Sequence, residues 1–243
     1  MEKRSALLAS LLFGLLVSGA YSRTFTFVNK CAYEVWAGTQ ASAGSPALTE
    51  TGFQLDQGAS VSLEAPSHWS GRFWGRTGCA ADATGQFKCK TGDCGSNKVA
   101  CNGAGAIPPA TLIEFTLDGG GGQDFYDTSL VDGYNVPFSV NPQGGSGSCG
   151  VSACGANINA ACPPELKVTD EGGAIIACKS ACEAFNTDEY CCRGAFGGPD
   201  TCNPNKYSTV FKQACPTAYS YAYDDKTSTF TCKAPAYILT FCP

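Results

Sequence analysis

The sequence predicts a mainly β protein, an antiparallel sandwich or barrel held together by disulfide bonds. Three observations predict it. Several short segments alternate apolar and polar residues, 29 glycines and 13 prolines supply turns between them, and 16 cysteines follow residue 30. An even number of cysteines in a chain bound for an oxidising compartment indicates eight disulfides. A chain of 243 residues can form one β domain of this kind.

The N-terminus has the pattern of a secretory signal peptide, which we predict over residues 1–22. Lys3 and Arg4 precede an almost unbroken apolar run at 6–17, and small residues lead to a cleavage site after Ser22. Because the run is shorter than the roughly 20 apolar residues that span a bilayer, we expect no membrane anchor. Secretion also fits the cysteine content, since disulfides form outside the reducing cytosol.

Five segments have the alternation or the β-branched content of strands. They are residues 24–28, 33–36, 61–63, 113–117 and 237–241. In the fourth segment Ile113, Phe115 and Leu117 share one face, which predicts that Glu114 lies on the other. The last segment is continuously apolar or β-prone, as expected of a buried strand.

Two cysteine-rich regions have too little apolar surface to fold alone, so disulfides must substitute for a core. Residues 76–107 have the pattern of a loop excursion with four cysteines, and residues 149–215 hold nine more. Within the second region, residues 174–185 have a helical pattern that would put Cys178 and Cys182 on one helix face. The adjacent Cys191 and Cys192 must bond to different partners. Spacing alone leaves the pairing open.

Composition excludes several function classes. The net charge is −5, and removal of residues 1–22 would leave 14 basic and 20 acidic residues, a charge of −6. An acidic chain without a basic patch is a poor partner for nucleic acid or for an anionic membrane. Neutral polysaccharides stay open as ligands. Zinc sites usually include histidine ligands, and the sequence has a single histidine. We therefore expect no metal and no cofactor.

Three other local patterns do not indicate a catalytic or phosphate-binding site. His68 stands in a loop-like segment and is expected to be a surface residue rather than a member of a catalytic triad. Gly119–Gly122 lacks the Lys-Ser/Thr of a phosphate loop. Tyr219, Tyr221 and Tyr223 alternate like a strand face, which favours packing inside the sandwich, with stacking on sugars as the alternative.

Motifs along the whole chain resemble the thaumatin-like proteins, the plant pathogenesis-related group five. Five stretches carry the resemblance: FTFVNKC at 25–31, FWGRTGC at 73–79, CKTGDC at 89–94, FYDTSLVDGYN at 125–135 and CPTAYSY at 215–221. The 16-cysteine spacing and the terminal Phe241-Cys242-Pro243 are further points of similarity. Ser96-Asn97 departs from the family, which more often has a glycine there.

The resemblance implies a fold and a disulfide pairing. The fold is a central antiparallel β-sandwich at about 23–75, 108–148 and 216–243, with a disulfide loop lobe at about 76–107 and a helical disulfide lobe at about 149–215. The implied pairs are Cys31–Cys242, Cys79–Cys89, Cys94–Cys101, Cys149–Cys232, Cys154–Cys215, Cys162–Cys178, Cys182–Cys191 and Cys192–Cys202. We expect Cys149–Cys232 and Cys154–Cys215 to hold one wall of a cleft, so that breaking either impairs ligand binding before the sandwich unfolds.

Family members with glucan-related activity line that cleft with one arginine and four carboxylates. Carried over by position, these are Arg72, Glu114, Asp127, Asp132 and Asp225. Clustered carboxylates accept hydrogen bonds from sugar hydroxyls and push one another's pKa values apart, so that one can act as acid and another as base or nucleophile. Glu114 is the candidate acid because it lies on a rigid strand, with one of the three aspartates as partner. The structural alternative is that Arg72 neutralises the cluster and that Asp127 and Asp132 cap turns.

The function that the resemblance implies is that of a secreted defence protein with an antifungal role, a monomer that binds β-1,3-glucan or other fungal wall polysaccharide. Two alternatives remain: weak endo-β-1,3-glucanase activity through Glu114 with Asp127 or Asp132, and inhibition of microbial hydrolases. Binding is favoured over efficient catalysis, because cleft acids are often binding groups. Vacuolar members carry a C-terminal propeptide, which implies an apoplastic location for a chain ending at Pro243. Fruit and pollen members are often allergens.

Overall fold

A computed structural model of the chain describes residues 22–243, so the predicted signal peptide lies, except for Ser22, outside the described residues. Within the described residues the strands are, in chain order, β1 (Arg23–Asn29), β2 (Val35–Ala41), β3 (Gly52–Leu55), β4 (Ser60–Ala65), β5 (Ser70–Arg76), β6 (Ala80–Ala81), β7 (Phe87–Lys88), β8 (Leu112–Thr116), β9 (Asp124–Ser129), β10 (Phe138–Gln143), β11 (Ser152–Cys154), β12 (Lys167–Thr169), β13 (Ile175–Cys178), β14 (Phe230–Cys232) and β15 (Ala236–Phe241). The α-helices are α1 (Ala181–Phe185), α2 (Asp188–Cys191), α3 (Lys206–Ala214) and α4 (Asp225–Ser228). No helix among residues 22–243 is long and apolar enough to cross a membrane.

The strands form a sandwich of two large sheets, which confirms the predicted fold class. One sheet has the order β11-β10-β15-β1-β4 and the other the order β14-β9-β8-β5-β2-β3. The larger sheet is antiparallel throughout. In the smaller sheet β1 and β15 pair in parallel, which a long connection between the two strands permits.

Aromatic side chains from both sheets fill the space between them. On β1, Phe25 and Phe27 are fully buried, as the alternation predicts. The Phe25 ring lies 4.9 Å from the Phe73 ring and 4.7 Å from the Phe115 ring, centroid to centroid, and both partners belong to the opposite sheet. These edge-on contacts add about 0.5–1.5 kcal/mol per pair to the burial of the rings themselves.

The predicted strand at 113–117 is β8, with Ile113 and Phe115 buried in the sandwich and Glu114 on its outer face. The predicted strand at 33–36 begins later, at Val35. The side-chain amide of Asn29 donates to the Tyr33 carbonyl over 2.9 Å, which occupies that carbonyl before the strand starts.

The helix predicted over residues 174–185 was wrong for its first half. Ile175–Cys178 is strand β13, which pairs with β12, and the helix α1 begins only at Ala181. Cys178 exchanges two backbone hydrogen bonds of 2.8 Å with Tyr134, and the Ser180 side chain caps the helix by accepting from the Glu183 N–H. Cys178 and Cys182 therefore lie on different elements. β-branched Ile175 and Ile176 favour the strand, and the cap determines where the helix begins.

Eight disulfides join Cys31–Cys242, Cys79–Cys89, Cys94–Cys101, Cys149–Cys232, Cys154–Cys215, Cys162–Cys178, Cys182–Cys191 and Cys192–Cys202. These are the pairs that the resemblance implies. A second buried cluster, which includes Leu130, Tyr134 and Phe211, surrounds the cysteines of the helical lobe. A small third one forms around Trp74 under the loop lobe. Each lobe thus adds bridges to a core too small to stabilise it alone.

Candidate functional site

The outer face of the larger sheet carries a row of three charged residues on neighbouring strands. Arg72 on β5 is directly opposite Glu114 on β8, and Glu114 is directly opposite Asp127 on β9. Opposite residues in antiparallel strands have Cβ atoms about 4.5–5.5 Å apart. All three side chains point away from the core, because the alternate positions Phe73 and Tyr126 are buried inside the sandwich.

Two segments outside the sheet bring the other predicted acids to this row. Asp132 lies in the turn after β9, which closes by a hydrogen bond from the Gly133 N–H to the Leu130 carbonyl. Gly133 has a φ of 86°, and a Cβ there would approach Pro109 and the Cys178 carbonyl within 2.8 Å. Asp225 is the first residue of α4.

The five predicted residues line one open cleft with a volume of about 350 Å³. The remaining lining residues are Leu112, Ser129, Val131, Tyr219 and Ala222. The structure therefore brings Arg72, Glu114, Asp127, Asp132 and Asp225 together. Four carboxyl groups face one guanidinium, so a neutral ligand rich in hydroxyl groups meets an excess of acceptors.

Arg72 balances the cluster only in part. Its Nε lies 3.8 Å from Glu114 Oε1, which is beyond hydrogen-bond distance, and the two side chains are 41% and 39% exposed. An ion pair of this kind contributes about 0–1 kcal/mol. Arg72 thus supplies positive potential without holding Glu114 in one geometry, and its donors stay available to a ligand.

Asp127 is the most perturbed acid of the cleft. Burial raises the pKa of its carboxyl to about 8, and the nearby negative charges of Glu114 and Asp225 add to the effect. Its Oδ1 is buried without a hydrogen-bond partner, so no donor stabilises a negative charge on that atom. The Asp127 carboxyl is therefore largely protonated at neutral pH. Its place within β9 also shows that Asp127 is not a turn cap.

The same causes act more weakly on two neighbours. Burial raises the pKa of Glu114, with Arg72 opposing and Asp132 adding to the rise. Burial also raises the pKa of Asp132, and Arg72 again opposes it. The cleft can therefore hold a protonated and an ionised carboxyl side by side, the arrangement that general acid–base chemistry on a sugar requires.

Tyr219 belongs to the cleft, so its expected packing inside the sandwich was wrong. Its backbone bridges to β9 through hydrogen bonds of 2.8 Å to the Thr128 carbonyl and 2.9 Å from the Leu130 N–H. Its hydroxyl donates to Asp225 Oδ1 over 2.8 Å and accepts from Thr229 Oγ1. Burial raises the pKa of Tyr219, and the hydrogen bond to Asp225 adds to the rise, so the phenol keeps its proton and orients that carboxylate.

The other two tyrosines of the series lie on the helical-lobe side. Tyr221 lines a small cavity there, and the Tyr223 hydroxyl donates to the Gly197 carbonyl over 2.9 Å. Residues 215–224 form turns and bends rather than a strand. The parallel bridge between Ser129 and Tyr219 is an isolated one. The alternating tyrosines therefore do not belong to a strand.

Sequence reasoning missed Ser129, which lines the cleft, and Thr229, which hydrogen-bonds to the Tyr219 hydroxyl. Ser129 shares a face of β9 with Asp127, two residues before it, so period-two spacing could have identified it. Thr229 follows α4 and was not identifiable without the fold. Among residues 22–243, no three His, Cys, Asp or Glu side chains lie close enough to hold a metal ion. His68 is exposed, as predicted.

The chain is similar along most of its length to known proteins. The model of the thaumatin family matches residues 29–243. The chain is 60% identical over 219 residues to pathogenesis-related protein 5 of Arabidopsis thaliana, covering 90% of each chain. It is 55% identical over 230 residues to a Prunus avium protein named glucan endo-1,3-beta-glucosidase, covering 94% of each.

A solved structure of a laminaripentaose-producing β-1,3-glucanase in complex with laminaritetraose superposes with a TM-score of 0.58. The match covers 92% of this chain and 99% of that one at 13% identity. At this identity the similarity concerns the fold.

Proposed function

The chain belongs to the thaumatin family, and from that premise we propose that it binds β-1,3-glucan through the acidic cleft. The observation that carries the proposal is the cross-strand row of Arg72, Glu114 and Asp127 on the floor of the cleft. Side by side across the three strands, Arg72 offers a charged donor, Glu114 an acceptor and Asp127 a carboxyl that can hold a proton. Neutral sugars present both donors and acceptors on every ring, so such a mixed row suits them.

The charge of the cleft also argues for a neutral ligand. Four carboxyl groups against one guanidinium would repel an acidic polysaccharide or a phosphate group, while hydrogen bonds from hydroxyl groups to carboxylates are strengthened by the charge. The relative from Prunus avium is named for action on β-1,3-glucan, which supports glucan as the neutral ligand of this chain.

The same family supports a proposal for the cellular setting. Eight disulfides fit an extracellular protein, and thaumatin-like pathogenesis-related proteins are secreted. We extend the proposal to an apoplastic defence protein that acts against fungi by binding their walls. A monomer suffices for this role, because all residues of the cleft come from one chain.

Hydrolysis of the bound glucan is the second candidate function, and the protonated Asp127 beside Glu114 favours it. In this scheme one carboxyl gives its proton to the glycosidic oxygen as that bond to C1 breaks. A carboxylate takes a proton from the water that adds to C1. The raised pKa of Asp127, about 8, favours Asp127 as the acid in this scheme and Glu114 as its partner, the reverse of the roles expected from the sequence.

Sedimentation with insoluble β-1,3-glucan tests the binding proposal, with cellulose as the control polysaccharide. We expect the wild type to sediment with the β-1,3-glucan, and Glu114→Gln to bind at least about tenfold more weakly, because a hydrogen bond to a charged group contributes about 1.5–3 kcal/mol. Glu171→Gln, which removes the same charge from an exposed turn outside the cleft, should bind like the wild type. Wild-type protein left in the supernatant would refute the proposal.

Release of reducing sugar from laminarin tests the second candidate on the same proteins. We expect both Glu114→Gln and Asp127→Asn to abolish any release, while Glu171→Gln retains it. If the wild type binds laminarin and releases no sugar, the protein binds glucan without hydrolysing it.

A further inference from the structure

The floor of the cleft continues past Glu114 and Asp127 into a second depression of about 160 Å³. Both acids line the cleft and the depression, so the two spaces meet at this pair. We call the depression the hydroxyl trough, formed by Ser42, Ser70, Thr116, Phe125 and Thr229. The acid pair thus lies in the middle of a longer groove rather than at its end.

The strand register explains why the groove continues. Ser70, Thr116 and Phe125 are opposite one another on β5, β8 and β9, two residues along from Arg72, Glu114 and Asp127. Residues two apart on a strand share a face and lie about 6.6–6.8 Å apart. The two rows therefore run in parallel across one surface, and a ligand chain can pass from one to the other.

The polar groups of the hydroxyl trough carry no charge of their own. Ser70 Oγ lies 3.3 Å from Ser42 Oγ and 3.2 Å from Thr116 Oγ1, and it is 3.1 Å from the Phe115 carbonyl, to which it can donate. Hydroxyl groups donate and accept by rotating, so the cluster can exchange its internal hydrogen bonds for bonds to a ligand's hydroxyls.

Phe125 adds an aromatic ring at the same place. It is half-buried, and its ring packs against Gly119, where a Cβ would come within 2.9 Å of Cδ2. The contact restricts where the ring can move. The face of an aromatic ring is weakly negative and attracts the C–H groups of a sugar ring. Ligand sites commonly combine aromatic side chains with a few polar groups that orient the ligand, and the hydroxyl trough has both.

We propose that the hydroxyl trough binds sugar residues on the far side of the acid pair, so that the groove takes an internal segment of a neutral glucan chain. This inference rests on the proposed function of the acidic cleft and extends it from the identity of the ligand to its length and its mode of binding. A site that ended at the acid pair would bind short chains as well as long ones. A groove that continues on both sides of the pair gains contacts with each added residue until both parts are filled.

Calorimetric titration with laminaritriose and laminarihexaose tests the inference. We expect the wild type to bind the hexaose at least about tenfold more tightly than the triose. Phe125→Leu keeps an apolar side chain against Gly119 and removes the aromatic face. This variant should lose most of the difference in affinity between the hexaose and the triose. Phe125→Trp, which keeps an aromatic face, should retain the preference for the hexaose. Phe196→Ala, which removes an exposed aromatic ring elsewhere on the surface, should leave both affinities unchanged.

The outcomes separate this inference from the proposed function. Equal wild-type affinity for triose and hexaose, or an unaltered preference for the hexaose in Phe125→Leu, would overturn the hydroxyl trough and leave glucan binding intact. Wild-type protein that binds neither oligosaccharide would overturn both. Thr116→Val gives a second measurement, since it removes one exposed hydroxyl of the trough while keeping a β-branched strand residue. Its hexaose affinity should fall while its triose affinity stays.

Discussion

Glu114 and Asp127 are directly opposite each other on neighbouring antiparallel strands, with their side chains on the outer face of the sheet. Strand pairing holds two acidic side chains together, and the negative charge of Glu114 disfavours ionisation of Asp127. Like charges directly opposite destabilise a sheet, so the native protein retains a proton on the pair. The consequence is a cleft whose charge, hydrogen-bonding capacity and effect on stability all depend on pH.

We expect Asp127→Asn to stabilise the protein at alkaline pH. The pKa of Asp127 is raised to about 8 in the folded state, so the folded protein holds a proton that the unfolded chain releases near pH 4. Its contribution is therefore intact below about pH 4 and is lost as the pH rises through 8. Asparagine removes this penalty. The free energy of unfolding in guanidinium should exceed that of the wild type by about 1–3 kcal/mol at pH 8, and the gain should disappear near pH 4.

Asp225→Asn, on an exposed residue of the same cleft, is the comparison for that measurement. It should show a smaller gain at pH 8, because it relieves only one of the charges that act on Asp127. A stability difference for Asp127→Asn that does not change between pH 4 and pH 8 would contradict the assignment.

A second prediction concerns the coupling of the pair itself. Glu114→Gln removes a negative charge that helps to raise the pKa of Asp127, so that pKa should fall. Titration of the Asp127 carboxyl carbon by NMR measures it directly. The pKa should stay above its ordinary value in the variant, because burial is the largest cause of the shift. An unchanged Asp127 titration would mean that the two carboxyls do not interact.

Most strands could be predicted from the sequence, because they lie half-buried and their residues alternate. Residues 24–28 and 113–117 are of this kind, and both became strands with the predicted faces. The partners of those strands could not be predicted, since pairing β1 with β15 in parallel depends on contacts more than 200 residues apart. Local pattern contains no information about that separation.

The residues of the cleft were identified by resemblance, whereas their chemical state required the fold. Nothing local to Asp127 indicates that Oδ1 is buried without a donor. Tyr219 shows the opposite problem, since its alternation with Tyr221 suggested a strand that tertiary contacts do not provide. The hydroxyl trough was missed because Ser70, Thr116 and Phe125 come from three strands and become neighbours only through register, while its other two residues lie in connecting segments.

A buried ion pair between the two sheets provides a third prediction. Asp124 is fully buried and accepts from Arg23 Nε over 3.0 Å, from the Tyr237 hydroxyl over 2.7 Å and from the Asp118 N–H over 3.0 Å. Asp124→Ala would leave Arg23 buried and only partly paired, so we expect a loss of about 3–5 kcal/mol in the free energy of unfolding. Tyr237→Phe removes one of the three donors and should cost about 1–2 kcal/mol.

Equilibrium unfolding in guanidinium with the disulfides intact measures both variants. Asp118→Asn is the matched control, because Asp118 pairs with the same guanidinium over 2.8 Å from a more exposed position, and its loss should be the smaller one. Similar losses for Asp118→Asn and Asp124→Ala would show that the buried carboxylate has no special role.

The last prediction separates the two disulfides that were expected to act alike. Cys232 is fully buried in the sandwich core with Cys149 packed against it, whereas Cys154 and Cys215 belong to the buried cluster of the helical lobe. Cys215 also lies four residues before Tyr219, whose backbone joins β9. Replacing Cys154 and Cys215 by alanine should therefore weaken glucan binding while the sandwich stays folded. The same change at Cys149 and Cys232 should destabilise the sandwich itself.

Tryptophan fluorescence can distinguish these results, because all three tryptophans, Trp36, Trp69 and Trp74, lie on or beside β2 and β5 of the larger sheet. The two bridges close loops of 61 and 83 residues, so chain entropy predicts nearly equal stabilisation, about 4 kcal/mol each. A difference between the variants then reflects where each bridge lies. We expect the guanidinium midpoint of the tryptophan signal to fall clearly for the Cys149–Cys232 pair and only slightly for Cys154–Cys215. Equal shifts in both, with binding lost in step, would show that the lobe and the sandwich unfold as one unit.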